Sequence, residues 1–343
     1  MKTNKALSYD DVLLVPQYSD IRSRTEIDMS IDLGGDVVLD LPVLSSPMDT
    51  VSEANMAIAL SNNGGAAVVH RYNTIQQQAD IVTTARTADP NIKLGAAIGI
   101  TGDYLNRAAV MLALEVDFLC VDVAHGHHIL MKEALQQLRT KFGDGIHIMA
   151  GNVATLQGIN DLADWGANSV RCNIGGGSIC STRIQTGHGM PGLQTIIDCA
   201  KTDRNVKIIA DGGIRNSGDI VKAIAAGADA IMCGSLFAGT DESPGKIMQD
   251  KDGHRWKIYR GMASKEAQVE WRGKYSSDEG VSTTIPYRGS VGAILRDLKR
   301  GISSGLSYSG ARTISELQNK SEFVTQTTSG LSESHTHILN RKW

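Results

Sequence analysis

Short apolar segments alternate with segments of helical periodicity along most of this chain, and this alternation limits the possible folds more than any other feature. The predicted strands are Leu41–Ser45, Ala66–Val69, Leu94–Ile98, Phe118–Val121, Ile146–Met149, Ser169–Cys172, Lys207–Ala210 and Ala230–Met232. The predicted helices between them are Ala54–Asn62, Thr74–Ala85, Tyr104–Leu114, Leu130–Lys141, Leu156–Trp165, Gly192–Ala200 and Ser217–Ala225. Buried strands that alternate with amphipathic helices form parallel βαβ units, so the pattern predicts the α/β class. Eight such units favour a closed (β/α)8 barrel, the TIM-barrel fold, with a doubly wound open sheet as the main alternative.

The chain has 343 residues, which is enough for one barrel of this kind, and no low-complexity linker or inserted domain interrupts the pattern. We therefore expect residues 1–343 to form a single catalytic domain. An irregular region, Gly239–Gly280, follows the eighth strand. Long irregular loops in compact domains are usually functional or disordered, so we expect a mobile flap at about 261–280. A polar tail at about 328–343 completes the predicted organisation.

Composition and charge exclude several classes of partner. The net charge is −3, which does not favour binding to nucleic acid or to an anionic membrane surface. No apolar run is long enough to span a bilayer, and the N-terminal residues lack the apolar core of a secretion signal. The five cysteines form no CxxC pair, which suits a reducing compartment. We therefore expect a cytoplasmic protein without nucleic-acid or membrane partners.

A glycine-rich segment directly after the sixth predicted strand carries the strongest chemical signal. Residues 175–183 read GGGSICSTR, and the ends of barrel strands are where this fold places its chemistry. A cysteine thiolate is a nucleophile, and the loop amides together with Arg183 would favour the anion at Cys180. Thr182 is a poor base alone and needs a carboxylate partner, for which Glu279 is the candidate. The alternative is that Cys180 is an inert small residue.

Two glycine turns predict a phosphate site at the same end of the barrel. Asp211-Gly212-Gly213 follows the seventh strand and Gly234-Ser235 follows the eighth, and barrels commonly bind phosphate with backbone amides at these two positions. Asp211 is suited to the hydroxyls of a ribose rather than to the phosphate. With Ser178, these residues predict a nucleoside monophosphate or a similar sugar phosphate. The alternative is that the glycines serve only tight turns.

Further residues suggest a cofactor and a cation. Asp122 ends the fourth strand and suits a second ribose, as a nicotinamide cofactor requires, although no GxGxxG motif is present for a Rossmann unit. The carbonyls of Gly175, Gly177 and Cys180 would converge on a monovalent cation if the loop curls. The histidines at 125–128 lack further ligands at zinc-like spacing, so we predict no metal there.

Taken together, these motifs resemble the IMP dehydrogenase / GMP reductase family. The matching segments are LSYDDVLLVP at 7–16, SPMDTV at 46–51, MAGNV at 149–153, the loop at 175–183, DGG at 211–213 and YRGM at 259–262. The resemblance extends from Leu7 to at least Phe323. It implies a barrel, a homotetramer, a purine nucleoside monophosphate substrate and a nicotinamide cofactor, either NADPH or NAD.

The resemblance also implies roles for individual residues. Cys180 resembles the nucleophile that forms a covalent thioimidate with the purine, and Thr182 and Glu279 resemble the proton-handling pair. The implied substrate contacts are Ser46, Met48, Ser178, Asp211, Gly212, Gly213, Gly234, Ser235, Tyr259, Gly261, Met262, Ala263 and Gly280. The implied cofactor contacts are Ser23, Arg24, Arg71, Asp122, Val123, Ala124 and Gly175. The implied site for a monovalent cation, potassium in this family, consists of Gly175, Gly177, Cys180 and Arg183.

The two activities of the family differ in the fate of the thioimidate. By resemblance, the reductase deaminates GMP and reduces the intermediate to IMP with NADPH, whereas the dehydrogenase oxidises IMP with NAD and hydrolyses the intermediate to XMP with an adjacent arginine–tyrosine pair. The reductase is favoured by the missing regulatory module between Val69 and Leu94, by a short flap in which Arg272 and Tyr275 are not adjacent, and by a Ser-Arg pair at 23–24.

Other segments favour the dehydrogenase, which remains the alternative. They are residues 65–71, residues 124–127 and Glu333-Ser334-His335. Gly176, where the family usually has proline, and residues 188–192 depart from both patterns. A third alternative is a purine nucleotide-binding regulator without catalysis. We expect the GMP reductase.

Overall fold

Eight parallel strands close into a barrel in this computed structural model, which describes residues 3–276 and 278–336. The barrel strands are β1 (Val43–Ser45), β2 (Ala66–Val69), β3 (Leu94–Ile98), β4 (Phe118–Asp122), β5 (His147–Val153), β6 (Ser169–Cys172), β7 (Lys207–Asp211) and β8 (Ala230–Cys233). The ring closes because β8 pairs in parallel with β1, with Ile231 opposite Val43 and Cys233 opposite Ser45. The closed barrel is thereby confirmed, and the open sheet is excluded.

Helices surround the barrel and connect its strands. They are α1 (Ala54–Ser61), α2 (Ile75–Ala88), α3 (Tyr104–Ala113), α4 (Ile129–Phe142), α5 (Leu156–Asp164), α6 (Thr182–Thr186), α7 (Gly192–Cys199), α8 (Ser217–Ala225), α9 (Lys265–Arg272), α10 (Val291–Tyr308), α11 (Ile314–Lys320) and α12 (Thr328–Glu333). Side chains cap several of them, as when Thr74 accepts from the Gln77 amide at the start of α2. The long helix α10, which was not predicted, packs against α1 and α8 and completes the outer ring.

The region predicted as irregular after β8 is partly ordered, and that prediction was wrong. Strands Met248–Gln249, Arg255–Arg260 and Ser282–Pro286 form a three-stranded antiparallel sheet, and α9 lies within the predicted flap. The strands were missed because they are partly exposed and lack a continuous apolar run; Arg255–Arg260 in addition carries three charged residues. The mobility of the flap stays a prediction. Of the predicted tail, α12 is described, and residues 337–343 lie outside the described part of the chain.

The barrel interior is filled by apolar side chains from alternating strand positions. Leu44, Val68, Phe118 and Met232 are at most 1% exposed and belong to this inner cluster. Gly95 on β3 makes room for the Phe118 ring, because a Cβ at this glycine would lie 2.2 Å from the ring. The interior is therefore a packed core, and a ligand can enter only at an end.

The N-terminal end of the barrel is covered, which leaves the C-terminal end for a site. Two short antiparallel strands, Ile31–Asp32 and Val38–Leu39, form a hairpin over the N-terminal end. His147, the first residue of β5, is bonded there to the Gly34 carbonyl at 3.0 Å and to Ser169 Oγ at 2.8 Å. Burial lowers the pKa of His147 to about 4.

The first strand of the chain, Val12–Leu14, pairs with Phe323–Thr325 outside the barrel. In the part of the chain that the structure describes, no helix combines the length and the apolar character needed to cross a membrane.

Candidate active site

A cavity of about 380 Å³ opens at the C-terminal end of the barrel strands. Most of the residues predicted from the sequence line it. They are Ser46, Met48, Arg71, Asp122, Val123, Ala124, Gly175, Gly177, Ser178, Cys180, Thr182, Asp211, Gly212, Gly213, Gly234, Ser235, Tyr259, Gly261, Met262, Ala263, Glu279 and Gly280. The fold therefore brings the predicted catalytic, substrate and most cofactor residues into one space.

Three predicted residues do not line this cavity. Ser23 and Arg24 lie in a turn of 3-10 helix, Arg24–Glu26, which is exposed and packs near α10. Arg183 lies at the back of the glycine loop, where its guanidinium donates to the carbonyls of Ile174 and Met190. Within one chain, the structure does not bring Ser23 and Arg24 together with the other cofactor residues.

A chain of hydrogen bonds links the candidate nucleophile to a carboxylate. Cys180 Sγ donates to Thr182 Oγ1 at 3.2 Å, and Thr182 Oγ1 donates to Glu279 Oε2 at 2.8 Å. Thr182 is buried, whereas Cys180 is partly exposed in the cavity. A thiol, a hydroxyl and a carboxylate in this order can move a proton between the sulfur and the carboxylate.

The base of the flap is tied directly to the cysteine loop. Cys180 and Gly280 form an isolated antiparallel bridge, and the Ser181 amide donates to the Glu279 carbonyl at 3.0 Å. Gly280 has no space for a side chain, because a Cβ there would lie 2.9 Å from the Ser264 amide. Backbone contacts thus hold Glu279 in place, with its carboxylate at the end of the chain of hydrogen bonds that begins at Cys180.

The predicted phosphate end is built from backbone amides and hydroxyls. Gly212 and Gly213 have φ angles of 85° and 77°, a left-handed conformation that favours glycine. At Gly234, a Cβ would lie 3.0 Å from the Tyr259 hydroxyl, and Tyr259 lines the cavity together with Ser178. Burial raises the pKa of Tyr259, so its hydroxyl stays protonated and able to donate. Such a surface suits an anion.

The floor of the cavity carries a buried arginine between two carboxylates. Arg171 on β6 donates through Nη1 to Asp122 Oδ1 at 2.6 Å, and through Nη2 to Asp211 Oδ2 at 2.8 Å. Burial alone would lower the pKa of Arg171, but Asp211 and Asp122 raise it well above its ordinary value. Asn152 Nδ2 also donates to Asp211 Oδ2, at 2.8 Å.

Two asparagines on the cavity wall have unused acceptors. The Oδ1 atoms of Asn152 and Asn173 are buried and have no hydrogen-bond partner among the described residues. Buried polar atoms are normally satisfied, so these two suit hydroxyl or amino donors of a ligand. Asn173 Nδ2 donates to the Gly212 carbonyl at 3.3 Å and so joins the cysteine loop to the turn after β7.

Aromatic and cationic side chains form the opposite wall, beside the flap. The rings of Tyr72 and Trp271 stack with their centroids 4.3 Å apart, and the Arg71 guanidinium lies 5.6 Å from the Tyr72 centroid. A second cavity of about 170 Å³ shares Arg71, Tyr72, Val123 and Arg272 with the first. The two cavities together form an elongated space.

Sequence reasoning missed several of these residues. Arg171 lay in a segment interpreted as a buried apolar strand, although an arginine in such a run is itself a signal of an internal ion pair. Asn152 was quoted only within a family motif, and Asn173, Tyr72 and Trp271 gave no local signal. Their contacts join elements that are distant in sequence, such as β2 and the flap.

Comparison with known proteins agrees with this geometry. A sequence model described as the IMP dehydrogenase / GMP reductase domain matches residues 6–337. The inosine-5'-monophosphate dehydrogenase of Nitrosopumilus maritimus is 32% identical, over 98% of this chain and 99% of that protein. The GMP reductase of Leishmania major is 30% identical, over 98% of each. A crystal structure of a cysteine-to-alanine variant of GMP reductase from Trypanosoma brucei, in complex with guanosine 5'-monophosphate, superposes with a TM-score of 0.92, at 29% identity and 98% coverage of both chains.

The match covers nearly the whole chain, and residues from five of the six segments that carry the resemblance line the cavity. The chain therefore belongs to the IMP dehydrogenase / GMP reductase family, whose members are oxidoreductases that act on purine nucleotides with NAD(P) cofactors.

Proposed function

We propose that this protein is a GMP reductase, which converts GMP to IMP and ammonia with NADPH. The observation that carries the proposal is the relay from Cys180 through Thr182 to Glu279, combined with a flap whose Arg272 and Tyr275 have separate partners. The relay supplies the proton that departing ammonia needs. A dehydrogenase needs in addition an activated water at the same sulfur.

The relay accounts for the deamination half of the reaction. The Cys180 sulfur bonds to C2 of the purine while the thiol proton passes through Thr182 to Glu279. The same carboxylate returns that proton to the amino group, so the C2–N bond breaks and ammonia leaves, which gives the thioimidate. A bound nicotinamide cofactor would supply the hydride for C2. The C2–S bond then breaks, IMP forms, and Cys180 regains a proton from solvent.

The flap side chains favour reduction over hydrolysis of the thioimidate. Arg272 Nη2 donates to Gln268 Oε1 at 3.0 Å, and its guanidinium lies 5.0 Å from the centroid of the Trp271 ring. Tyr275 is half exposed and lies under the Lys265 ammonium, 5.0 Å from the ring centroid. Because each side chain is held by a different neighbour, they do not act as the adjacent pair that activates water in a dehydrogenase.

The substrate and cofactor positions follow from the charges. The phosphate of GMP suits the turns at Gly212–Gly213 and Gly234–Ser235, and Asp211 suits its ribose. The residues also fit a nicotinamide dinucleotide, since the buried Nε of Arg71 has no hydrogen-bond partner among the described residues and lies 4.0 Å from Asp122 Oδ2. Asp122 with Val123 and Ala124 would hold the nicotinamide half. The choice of NADPH depends on the resemblance at Ser23 and Arg24.

The dehydrogenase is the second candidate, because relatives of nearly equal identity carry either name. The missing regulatory module does not separate the two. The alignments with the dehydrogenase and the reductase extend over 473 and 481 positions, whereas this chain has 343 residues, so both relatives contain segments that this chain lacks.

Two paired assays test the proposal. With GMP and NADPH, the absorbance of the reduced cofactor falls for a reductase; with IMP and NAD, it rises for a dehydrogenase. We expect the fall in the first assay and no change in the second. A rise in the second assay alone would establish the dehydrogenase, and silence in both with retained GMP binding would establish a regulator.

Two variants test the chemistry of the relay. Cys180→Ala should reduce turnover to background, whereas the matched variant Cys199→Ala, a buried cysteine on α7, should retain it. Glu279→Gln keeps an acceptor for Thr182 but cannot take a proton, so kcat should fall about 100-fold or more. The neighbouring Asp278→Asn is its control, because the hydrogen bond that joins Asp278 to the loop, at 3.2 Å from Ser181 Oγ, is accepted by the backbone carbonyl, which this substitution keeps.

The cation, the assembly and the compartment are further parts of the proposal. We propose the carbonyls of Gly175, Gly177 and Cys180 as ligands of a potassium ion; the Gly177 carbonyl already accepts from the Cys180 amide at 3.1 Å. Arg183 supports this loop through its guanidinium, and its own carbonyl accepts from the Gly187 amide. A homotetramer in the cytoplasm follows from the resemblance and the free cysteines, and sedimentation analysis tests the assembly.

A further inference from the structure

One guanidinium in the barrel joins the residues assigned to two different ligands. Arg171 contacts Asp122 at the end of β4 and Asp211 at the end of β7, at 2.6 and 2.8 Å. The arginine side chain is 7% exposed, and the two carboxylates are 19% and 11% exposed. Two negative charges this deep in a protein need a compensating cation, and Arg171 serves both of them.

Each carboxylate has one oxygen held by this arginine and one oxygen left for a ligand. Asp211 Oδ2 accepts from Arg171 Nε at 3.0 Å, from Arg171 Nη2 at 2.8 Å and from Asn152 Nδ2 at 2.8 Å. Asp211 Oδ1 accepts no hydrogen bond from the described residues. Asp122 Oδ1 accepts from Arg171 Nη1, whereas Asp122 Oδ2 accepts no hydrogen bond within the part of the chain that the structure describes and lies 4.0 Å from Arg71 Nε.

We propose that Arg171 is a positioning residue that couples the nucleotide subsite at Asp211 to the cofactor subsite at Asp122. The proposal rests on the proposed function, which assigns these carboxylates to the riboses of GMP and of the nicotinamide cofactor. A planar guanidinium has donors in a fixed fork, so a shift of one carboxylate changes the angle at which the other is held. The two binding equilibria are thereby linked, and the linkage is reciprocal.

A lysine at this position separates coupling from simple charge compensation. Its single ammonium carries the same charge but cannot hold the two carboxylates in one plane. Arg171→Lys should therefore weaken the binding of both ligands. A residue with only a structural role would change the thermal stability and leave both affinities unchanged.

The most direct test measures the affinity for GMP without any cofactor present. Asp122 has no assigned contact with GMP, and the hydrogen-bonded route from Asp122 to the nucleotide subsite at Asp211 runs through Arg171, so Asp122→Asn tests this route. We expect the Kd of GMP, from isothermal titration calorimetry, to rise at least threefold in Asp122→Asn. In the Arg171→Lys background, adding Asp122→Asn should change the Kd by less than a factor of 1.5, because the connection is already broken.

Arg139 on α4 provides the control. Arg139→Lys removes a guanidinium that donates to the Gly166 and Ile146 carbonyls away from the cavity, and it should leave the Kd of GMP unchanged. An unchanged Kd in Asp122→Asn overturns the coupling, and so does an equal effect of this substitution in both backgrounds. If Arg171→Lys fails to fold, the Asp122→Asn single variant still decides the question.

Failure of the proposed function is distinguishable from failure of the coupling. If the protein proves to be a dehydrogenase, the same titrations are made with IMP, which carries the same ribose phosphate. The coupling then stands or falls on the effect of Asp122→Asn, independently of the direction of hydride transfer.

Discussion

Substituting Gly176 should disturb the cysteine loop through a single neighbour, Asn173. A Cβ at position 176 would lie 2.1 Å from Asn173 Nδ2 and 2.7 Å from its Cγ. Asn173 is 4% exposed and has a φ of 156°, and its amide group donates to the Gly212 carbonyl at 3.3 Å. The Asn173 side chain thus occupies the space that a side chain at 176 would need. This is a steric reason for glycine at a position where the family usually has proline.

The expected cost of Gly176→Ala follows from these contacts. The new methyl group must displace the Asn173 side chain, which removes its hydrogen bond to Gly212, worth about 1 kcal/mol. Forcing a buried side chain away from its preferred rotamer costs about another 1 kcal/mol. The strain is relieved when the loop leaves its catalytic conformation, and 1.4 kcal/mol corresponds to a tenfold change, so about 2 kcal/mol lowers the population of the catalytic loop, and with it kcat/KM, roughly 30-fold.

A second substitution should restore activity if the collision is the cause. Asn173→Gly alone removes the hydrogen bond to Gly212 together with the Oδ1 acceptor on the cavity wall, so its kcat/KM should fall at least about fivefold. The double variant Asn173→Gly/Gly176→Ala should match Asn173→Gly, since no side chain remains to be displaced. Gly145→Ala, with no atom within 4 Å of the new methyl group, is the control. A double variant whose kcat/KM falls by the product of the two single effects would refute the steric explanation.

Two further substitutions test the N-terminal end of the barrel, at His147, and the flap, at Trp271. His147 has its pKa lowered to about 4 in the folded protein, so the unfolded chain binds more protons between about pH 6.5 and pH 4. As the pH decreases from 6.5 to 4, the free energy of unfolding should therefore fall by about 3 kcal/mol. Urea denaturation of His147→Gln should show a smaller fall over the same pH range. An identical pH dependence of the two proteins would show that the His147 pKa is not lowered by folding. Trp271→Ala removes the stack on Tyr72, which is worth about 1 kcal/mol, and should raise the KM for NADPH about fivefold. Trp271→Phe keeps an aromatic ring and should bring the KM most of the way back to the wild-type value. Equal KM values for all three proteins would show that the stack does not support cofactor binding.

The barrel could be predicted from the sequence because its strands are buried on both faces. Three strands, Ala66–Val69, Leu94–Ile98 and Ser169–Cys172, have the predicted bounds. The first two are continuous runs without a polar side chain, which are visible without any tertiary information. The strands of the peripheral sheet were missed for the opposite reason. Arg255–Arg260 reads RWKIYR, and its charged residues are typical of a loop when its partner strand is unknown.

The sequence predicted those parts of the candidate site in which the residue type by itself indicates a chemical role. The glycine loop and Cys180 did so, and the structure places Thr182 against Glu279 although 97 residues separate them. Arg171 did not, because its role depends on which face of β6 points into the barrel and on two carboxylates from other strands. A local sequence pattern carries no information on the distance between Arg171 and carboxylates on other strands.

The same distinction explains why the choice between reduction and hydrolysis is harder to predict than the relay. Backbone contacts fix the relay, since Cys180 bridges Gly280 and Ser181 bonds to Glu279. Access of water to the sulfur depends instead on side chains of α9 and of the residues after it, where Arg272 is held by Gln268 and Trp271. Proton transfer is therefore set by the rigid base of the flap, and the fate of the thioimidate by its outer part. Substitutions in α9 should accordingly change the ratio of reduction to hydrolysis while the rate of deamination is preserved.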